Sequence, residues 1–387
     1  MKILIVAHES EFIGGANRAL WLIIKYFHEN KMCDMEVLLP QKSGDLVNEL
    51  NKLNIPCHFA NYNKVFSETR KDGKNLLRYL NMSRKHFANI KSANKVSWEL
   101  KKHNFDAIYS NTRMTSFGWL LAKKMNLPHI IHIREFGNEN TVWGPNNIKN
   151  IANNSKKIIA ITHALKKNLL SNLQEDIITA SHDGVRVETT PMKESDFTNN
   201  NINILLTGRI TDAKGHVEAV KALNKIMPEC KRNITLHFAG SIISQSKYGI
   251  KYKEEIDFLI KEFNLEKNIV FHGEVKDMTS LRKNMDIELM CAKCETFGWV
   301  TVEGMRTGLL LIGTNTGGTP EIIEDNVTGL LYQQGSYKDL ANKLMWVFDN
   351  PDKATQIAKS GYEFANNNFT IEKNAEEVYN VIKSCIN

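Results

Sequence analysis

The segment CETFGWVTVEGM, residues 294–305, decides the fold of this chain. It follows the apolar run DIELMC (286–291), which has the length of a buried strand. Gly298 permits a tight entry into a helix, because glycine adopts backbone conformations that other residues avoid. Glu295 then lies in the loop before that helix, and Glu303 lies on its first turns. The segment therefore predicts a strand–loop–helix unit whose two carboxylates, eight residues apart, can both face a cleft.

The rest of the chain shows the same alternation of short apolar runs with amphipathic stretches of helix length. This alternation favours parallel sheets with crossover helices, and hence an α/β fold. The predicted strands are KILIVA (2–7), MEVLLP (35–40), FDAIYSN (105–111), HIIHIR (129–134), KKIIAIT (156–162), INILLTG (202–208), ITLHFAG (234–240), NIVFHG (268–273), DIELMC (286–291) and LLLIG (309–313).

A polar stretch without periodicity, ETTPMKESDFTNNNI (188–202), separates the two series of strands and predicts an interdomain linker. The expected architecture is two Rossmann-like domains, residues 1–190 and 200–370, that face a cleft. Ligands of such sheets usually bind in this cleft. The amphipathic segment IEKNAEEVYNVIKSC (371–385) has no strand after it and predicts a C-terminal helix.

The composition fits this fold class. A length of 387 residues favours two domains, and 42% hydrophobic with 24% charged residues excludes a disordered chain, a collagen or a coiled coil. The six scattered cysteines indicate a reducing compartment rather than a disulfide scaffold. The apolar start is too short for a secretory signal, and no window approaches the ~20 apolar residues of a membrane span. We therefore expect a cytoplasmic protein.

The net charge of +7 is unevenly distributed. Residues 1–190 carry +10 and residues 191–387 carry −3, while residues 64–102 alone hold 11 Lys and Arg against 3 Asp and Glu. Apolar residues are interleaved with these charges, a pattern that suits an anionic membrane surface. A solvated pair of helices over the sheet would have a similar sequence, and nucleic acid is another polyanion that attracts such a patch.

Two other loops have the features of anion sites. Gly14-Gly15 follows the first strand and precedes a helix, so the backbone can approach a ligand closely and the helix N-terminus favours an anion. A plain tight turn would have the same sequence. Arg209 and Lys214 lie on the loop after strand 202–208, where a guanidinium fork and a point charge can converge on one dianionic group. Two solvated surface charges are the alternative.

The segment around the paired glutamates adds further candidates. The backbone N–H groups of Thr296 to Gly298 can hold a phosphate, and carboxylates are good acceptors for sugar hydroxyls. The loop TNTGGTPE (314–321) is Gly-rich and precedes a short helix, and NVTGLL (326–331) predicts a turn into an edge strand.

Together these motifs resemble a GT-B fold glycosyltransferase of the retaining family 4 type. The resemblance rests on Gly14-Gly15, Gly208-Arg209 with Lys214-Gly215, Glu295-Thr296-Phe297-Gly298 with Glu303, and Gly317-Gly318-Thr319-Pro320-Glu321. The order and spacing of these motifs cover most of the chain. The chain departs from the family at Gly304, where Ala is common, at Leu310, where Pro is usual, and at Ala292, where Ser is often found.

The resemblance implies that the N-terminal domain binds an acceptor and the C-terminal domain a nucleotide-sugar donor, with a UDP-sugar as the first candidate. Arg209 and Lys214 would contact the donor diphosphate, while Glu295 would bind hydroxyls of the transferred sugar and Glu303 the ribose. Further donor contacts are implied at Gly14, Gly15, Thr296, Phe297 and Gly298. The last helix, 371–387, would cross back onto the first domain.

The catalytic position of the first domain has two candidates. The family often carries a His at the end of the fourth-strand region, which here is HIIHIREF (129–136). Strand alternation puts His132 and Arg134 on the same face and Glu135 on the opposite one. Arg134 has the strand-end position and His132 lies two residues earlier, so either can be the catalytic group. A buried structural histidine is the alternative for His132.

We expect neither a metal nor a cofactor. Metal-dependent transferases hold their cation with a loop Asp-x-Asp, whereas Asp286-Ile287-Glu288 lies in a strand pattern, and Cys291-x-x-Cys294 lacks the second pair of a zinc site. Arg209, Lys214 and helix N-termini would then neutralise the leaving diphosphate.

The expected function is transfer of a hexosyl or N-acetylhexosaminyl group from a nucleoside-diphosphate sugar to a hydroxyl of a glycan or polyprenyl-linked acceptor. Bacterial cell-surface polysaccharide or glycoconjugate synthesis is the expected setting. Many such enzymes dock on membranes, which agrees with attachment of residues 64–102 to the inner face of the cell membrane, whereas the paired glutamates argue against nucleic acid. Two alternatives are another GT-B enzyme, such as a sugar-nucleotide epimerase or hydrolase, and a non-catalytic nucleotide-sugar-binding partner of a synthase.

Overall fold

Two parallel β-sheets, one in each half of the chain, form the framework of the structure, which is a computed structural model. It describes residues 1–12, 14–68, 75–137, 141–170, 175–186, 192–242 and 247–386. One compact unit comprises Met1–Gly184 with Ile371–Asn387, and the second comprises Val185–Thr370. Both units are α/β and Rossmann-like, which confirms the predicted fold class.

The first unit has nine strands and seven helices among the described residues. The strands are β1 (Lys2–Val6), β2 (Asp34–Leu39), β3 (Cys57–Phe59), β4 (Ser67–Glu68), β5 (Ala107–Ser110), β6 (His129–Ile133), β7 (Thr141–Val142), β8 (Lys157–Ala160) and β9 (Ile178–Ala180). The helices are α1 (Gly15–Glu29), α2 (Asp45–Lys52), α3 (Leu76–Leu100), α4 (Phe117–Met125), α5 (Ile148–Asn154), α6 (His163–Leu170) and, at the end of the chain, α14 (Ile371–Lys383).

The main sheet of this unit has the order β3-β2-β1-β5-β6-β8-β9 and is parallel throughout, while β4 and β7 form a separate antiparallel pair. Ile3, Leu4 and Ile5 of β1 are each 0% exposed, because helices cover both faces of a parallel sheet. Such strands are continuous apolar runs in sequence. The strand order reverses between β1 and β5, where the loops at the carboxyl ends of the strands leave room for a ligand.

The second unit repeats this plan. Its strands are β10 (Asn201–Thr207), β11 (Asn233–Ala239), β12 (Ile269–Gly273), β13 (Ile287–Met290), β14 (Leu310–Thr314) and β15 (Leu330–Tyr332). Its helices are α7 (His216–Ile226), α8 (Lys247–Glu262), α9 (Met278–Arg282), α10 (Trp299–Met305), α11 (Thr319–Ile322), α12 (Tyr337–Asp349) and α13 (Pro351–Asn368). The parallel sheet has the order β12-β11-β10-β13-β14-β15, with its reversal between β10 and β13.

The C-terminal helix α14 belongs to the first unit, as the resemblance implied. Val378 and Ile382 pack into the same core as Leu20 and Phe27 of α1. The amphipathic pattern of this segment therefore reflects burial of one helix face against α1.

The described part of the predicted linker packs against the second unit. Residues 187–191 lie outside the described part of the chain, but Phe197 is 0% exposed in the core of the second unit, and Ser195 donates a hydrogen bond to the carbonyl of Gly308 at 3.0 Å. The division between the units falls between Gly184 and Val185. A largely polar segment thus packs against the second unit through one aromatic side chain. A search for periodicity does not detect a single buried residue of this kind.

Candidate functional site

The loops after β10 and β13 meet through an ion pair between two of the predicted donor residues. Lys214 Nζ lies 2.5 Å from Glu295 Oε2, and the two side chains are 29% and 23% exposed. Lys214 ends the short 3-10 turn Asp212–Lys214, and its aliphatic stem lies beside Gly208. Two of the predicted residues therefore lie together at this edge of the sheet as partly exposed, mutually paired groups.

A second ion pair joins the same two loops. Lys293 Nζ lies 2.5 Å from Asp212 Oδ2, and the backbone N–H of Lys293 donates to the carbonyl of Ala213 at 3.0 Å. Both partners of this outer pair are more than half exposed, so it contributes little to stability by itself. The backbone hydrogen bond fixes the separation of the two loops and thereby the Lys214–Glu295 geometry.

Two glycines allow these loops to pack closely. A Cβ atom at Gly215 would lie 2.2 Å from the carbonyl oxygen of Cys291, and one at Gly317 would lie 2.3 Å from that of Glu295. Both glycines have positive φ, 75° and 60°, which side-chain-bearing residues rarely adopt. Gly318 N–H also donates to the Glu295 carbonyl at 2.8 Å. The backbone of Glu295 is therefore fixed by the Gly-rich loop after β14.

Glu303 is held by a buried arginine that the sequence analysis did not select. Arg282 Nη1 lies 2.8 Å from Glu303 Oε2, and Arg282 Nε lies 2.9 Å from Glu288 Oε2. The side chains of Arg282 and Glu288 are 3% and 2% exposed, whereas that of Glu303 is 24% exposed. Burial opposes the charge on Arg282, but the two carboxylates outweigh this and raise the pKa of its guanidinium.

The remaining predicted donor residues have different environments. Arg209 is exposed, and its guanidinium makes no ion pair with any described residue. Phe297 is 2% exposed, and its ring packs edge-on to Phe369 at 5.6 Å, so its side chain belongs to the core. Gly298 caps α10 with φ 100°, as predicted. Within the described part of the chain, the backbone N–H groups of Thr296 and Gly298 have no hydrogen-bond acceptor.

In the first unit, Gly14 is the N-cap of α1 and Gly15 is its first residue, so both glycines lie at the entry to this helix after β1, as predicted. Gly14 has φ 80°, and a Cβ atom placed on it would meet nothing within 4 Å. Glycine is therefore required by the backbone conformation, and the outer side of the turn is open. The first turn of α1 contains no acidic residue, so its N-terminal N–H groups can face an anion.

His132 and Arg134 lie together, as alternation predicted, but both are buried. The residues His132 and Arg134 are 0% and 6% exposed, and Arg134 is paired with the buried carboxylate of Asp183. His132 Nδ1 accepts from Tyr109 Oη at 2.9 Å and from Arg134 Nη2 at 3.3 Å. Burial and the neighbouring guanidinium hold the pKa of His132 well below its ordinary value, so this ring is neutral at physiological pH.

Arg134 connects this network to the Gly14-Gly15 turn. Its Nε donates to Asn111 Oδ1 at 3.0 Å, and Asn111 Nδ2 donates to the carbonyl of Ala16 at 2.9 Å. The ends of β5 and β6 and the start of α1 are thus joined by side-chain hydrogen bonds. The sequence analysis missed Asn111 and Asp183, because no local pattern indicates which residues pair with an isolated polar side chain after a strand. Glu288, in contrast, was detectable as a charged residue inside the apolar run of β13.

Residues 188–364 match the model of the family described as Glycosyl transferases group 1, which covers most of the second unit. An uncharacterized glycosyltransferase of Methanocaldococcus jannaschii is 26% identical over 281 residues, which are 71% of this chain and 74% of that protein. The capsular polysaccharide biosynthesis glycosyltransferase CapM of Staphylococcus aureus is 27% identical over 239 residues, 58% of this chain and 61% of that protein.

Among solved structures, Anabaena HepE in complex with UDP is similar over 99% of this chain and 100% of that chain, with a TM-score of 0.79 and 20% identity. The same protein in complex with UDP-glucose gives a TM-score of 0.76 over 99% and 100% of the two chains, also at 20% identity. The fold is therefore GT-B, as the resemblance implied, and the sequence relatives support glycosyltransferase activity. No helix within the described residues combines the length and apolar character that crossing a membrane requires.

Proposed function

We propose that this protein is a retaining, metal-independent glycosyltransferase that moves a hexosyl or N-acetylhexosaminyl group from a UDP-sugar to a glycan or polyprenyl-linked hydroxyl. The observation that carries the proposal is the Lys214–Glu295 pair at the carboxyl edge of the second sheet, with Glu303 fixed nearby on α10. The UDP and UDP-glucose complexes of HepE support the donor class. The name of CapM supports a setting in bacterial cell-surface polysaccharide synthesis.

Side chains supply the positive charge that faces the donor diphosphate in this proposal. Lys214 is partly exposed and carries a flexible ammonium group, so it can exchange its bond to Glu295 for one to the leaving phosphate. Arg209, which makes no ion pair with a described residue, supplies a second cation on the same loop, and the backbone N–H groups of Thr296 and Gly298 supply neutral donors. Fixed positive charge of this kind stabilises the negative charge that develops as the diphosphate leaves.

The two carboxylates have separate roles in this proposal. Glu295, released from Lys214, accepts hydrogen bonds from hydroxyls of the transferred sugar. Glu303 is oriented by Arg282 through Oε2, while its Oε1 makes no bond to a described residue and can accept one from a ribose hydroxyl. A carboxylate with one oxygen held and one exposed presents a fixed acceptor, which favours specific recognition of a hydroxyl. Retention then corresponds to attack of the acceptor hydroxyl on the face from which the diphosphate leaves.

In the first unit we propose that His132 and Arg134 position the turn that receives the reacting groups. Both are too buried to meet solvent, and Arg134 is already neutralised by Asp183. Through Asn111 they orient Ala16 and with it the start of α1, next to Gly14 and Gly15. In this proposal His132 and Arg134 share a positioning role.

We further propose that helix α3 attaches the protein to an anionic membrane. At about 100° per residue, Leu76, Leu80, Phe87 and Trp98 lie within about 40° of one another on one face. Their exposures are 72%, 57%, 63% and 81%. The opposite face, including Met82 and Val96, is buried. Exposed Ser83 and Asn94 lie on this face as well, so a stripe of four large apolar side chains and two small polar ones covers about 33 Å of the helix on the side that faces away from the core.

Basic residues flank this stripe. Arg84, Lys91 and Lys95 are exposed and lie within about 60° of it, whereas Lys85 lies toward the buried side. A helix with exposed large apolar residues and adjacent cations binds the interface of an anionic bilayer. Residues 69–74, which contribute to the charge of the 64–102 stretch, lie outside the described residues. This arrangement supports a peripheral location at the inner face of the cell membrane, close to lipid-linked acceptors.

The function is tested by a thermal-shift screen of UDP, GDP, ADP and TDP and their sugars on the full chain, followed by product analysis with a polyprenyl-phosphate glycan acceptor. Binding to the native state raises Tm by mass action. We expect UDP and one UDP-sugar to raise Tm, and Lys214→Ala to remove most turnover while the fold is retained. Lys343→Ala, a surface lysine of the same unit, is the matched control. Near-normal transfer by Lys214→Ala would refute the assignment.

The same assay separates the alternatives. An epimerase or hydrolase would convert the UDP-sugar without any acceptor, and a non-catalytic partner would bind the donor tightly with neither transfer nor hydrolysis. Transfer that requires the acceptor and retains the anomeric configuration of the donor supports the proposal over both.

A further inference from the structure

A cluster of possible metal ligands lies in the first unit, away from the loops described above. Glu36 lies in β2, His58 in β3, and His103 in the 3-10 turn Lys101–His103 that follows α3. His58 Nε2 is 2.5 Å and His103 Nδ1 is 2.9 Å from Glu36 Oε2, and one ligand atom from each residue lies within 4.8 Å of the others. Because His103 precedes β5, the cluster is near the amino ends of the strands.

We propose that Glu36, His58 and His103 form a binding site for a divalent transition-metal cation, with Zn²⁺ as the best match. Two imidazole nitrogens and one carboxylate oxygen are ligands that Zn²⁺ takes in proteins, at about 2.0–2.2 Å. Ligand atoms of a tetrahedral site with such bonds are about 3.3 Å apart. The two separations from Glu36 Oε2, 2.5 and 2.9 Å, differ from this value by less than about 1 Å, and the two histidine nitrogens lie within 4.8 Å of each other.

Neighbouring groups orient the three side chains. Lys2 Nζ lies 2.7 Å from Glu36 Oε1, which is also 3.2 Å from His103 Nδ1, whereas Oε2 contacts both histidines and is the oxygen available to the cation. The ring of His103 is stacked on Phe105 with an interplanar angle of 5° and a centroid distance of 5.8 Å. Hydrogen bonds to ligating carboxylates and fixed imidazole rings are usual features of metal sites.

The cluster is also accessible. The side chain of Glu36 is 8% exposed, while those of His58 and His103 are 23% and 24% exposed. A cation can therefore enter from the histidine side, and a water molecule can complete a four-coordinate shell there. A bound cation would link β2, β3 and the segment that leads into β5. Along the chain, His58 is 22 residues and His103 is 67 residues from Glu36. It would thus stabilise one end of the sheet.

The alternative is a hydrogen-bonded cluster without a cation. Lys2 already offsets the charge of Glu36, and the present distances are those of hydrogen bonds and ion pairs. A hydrogen-bonded cluster and a metal site differ in one property, the saturable binding of the cation. The test therefore measures binding itself and does not depend on transferase activity.

The experiment is isothermal titration of the full, metal-stripped chain with Zn²⁺, together with the absorption spectrum of bound Co²⁺. We expect one saturable site per chain and the visible bands of four-coordinate Co²⁺. Loss of a hydrogen bond to a ligand weakens metal sites by about 10–100-fold, so loss of a ligand in His58→Gln or His103→Gln should weaken binding by more than about 100-fold. His28→Gln, at an exposed position of α1, should bind as the wild type does.

A second histidine pair supplies a further control. His237 Nδ1 lies 3.0 Å from His272 Nε2 in the second unit, so His237→Gln removes any weak binding of Zn²⁺ to this pair. Absence of saturable Zn²⁺ binding in the wild type overturns the proposal, and this outcome needs no variant to fold. Binding that survives in both His58→Gln and His103→Gln, with far-UV circular dichroism unchanged, also overturns it. Binding that survives in His237→Gln and disappears in those two variants supports it.

Discussion

A Cβ atom on Gly304 would lie 2.4 Å from Oε2 of Glu288, the buried carboxylate that shares Arg282 with Glu303. Gly304 is one of the positions at which the chain departs from the family it resembles, where Ala is common. The departure has a structural reason in this protein. Without a side chain at Gly304, helix α10 can lie directly against the Glu288 carboxylate, and Arg282 can reach both glutamates.

Gly304→Ala should destabilise the protein despite the better helix propensity of Ala. The propensity gain is about 1 kcal/mol, whereas overpacking of a buried site costs about 1–3 kcal/mol. Glu288 is unable to move aside, because Thr207 Oγ1 donates to its Oε1 at 2.7 Å and Arg282 holds both oxygens. We expect a net loss of up to about 2 kcal/mol in the free energy of unfolding, measured with urea. Ser83→Ala, at an exposed position of α3, is the control and should not destabilise; a stabilised Gly304→Ala would contradict the packing argument.

Arg282→Met should be among the most destabilising single changes in the second unit. It leaves Glu288 buried with an uncompensated charge, which costs about 3–5 kcal/mol when one partner of a buried pair is removed. Lys343→Met removes the partly exposed pair with Asp325, 3.3 Å apart, and should cost no more than about 1 kcal/mol. Equal losses of unfolding free energy for the two variants, measured with urea, would show that the Arg282 network is not buried as the structure describes.

His216 should make the stability of the protein depend on pH. Burial lowers the pKa of this histidine, at the start of α7, from 6.5 to about 4. The unfolded chain therefore binds a proton below pH 6.5 that the folded chain does not bind until about pH 4. Stability is present in full above pH 6.5 and falls as the pH drops toward 4, by up to about 3 kcal/mol for this group.

The measurement is urea unfolding of the wild type and of His216→Leu at a series of pH values. We expect the difference between the two curves to change between pH 6.5 and 4 and to be constant above pH 7. His28→Gln, at an exposed position, should give a curve parallel to that of the wild type. A pH-independent difference between His216→Leu and wild type would show that His216 is not buried in its neutral form.

The exposed face of α3 should control attachment to anionic vesicles. Each basic residue near such a surface contributes about 1 kcal/mol, so Arg84→Glu with Lys91→Glu should weaken co-sedimentation by more than tenfold. Leu80→Glu with Phe87→Glu should weaken it as well, because the apolar stripe then resists insertion. Lys261→Glu, at an exposed position of α8, is the matched control. Unchanged binding of both double variants, or equal binding to neutral and anionic vesicles, would defeat the membrane proposal.

The strands were predictable because parallel strands are buried on both faces. Each of the ten apolar runs overlaps an observed strand, as KILIVA (2–7) does with β1. The strands β3 and β9, of three residues each, were missed, since so short a segment has no detectable pattern. The turn at Gly14-Gly15 and the helix entry at Gly298 were also predictable, because positive φ values there require glycine.

The partners of the charged side chains were not predictable. The sequence by itself determined the α/β alternation and the glycine-bearing loops, and it predicted Lys214, Glu295 and Glu303 as donor residues. Only the tertiary structure decided that Glu303 shares a buried Arg282 with Glu288, and that Arg134 is paired with Asp183, 49 residues away. The physical reason is that such pairs join side chains from different strands and helices, and their distance depends on how those elements pack rather than on any local pattern.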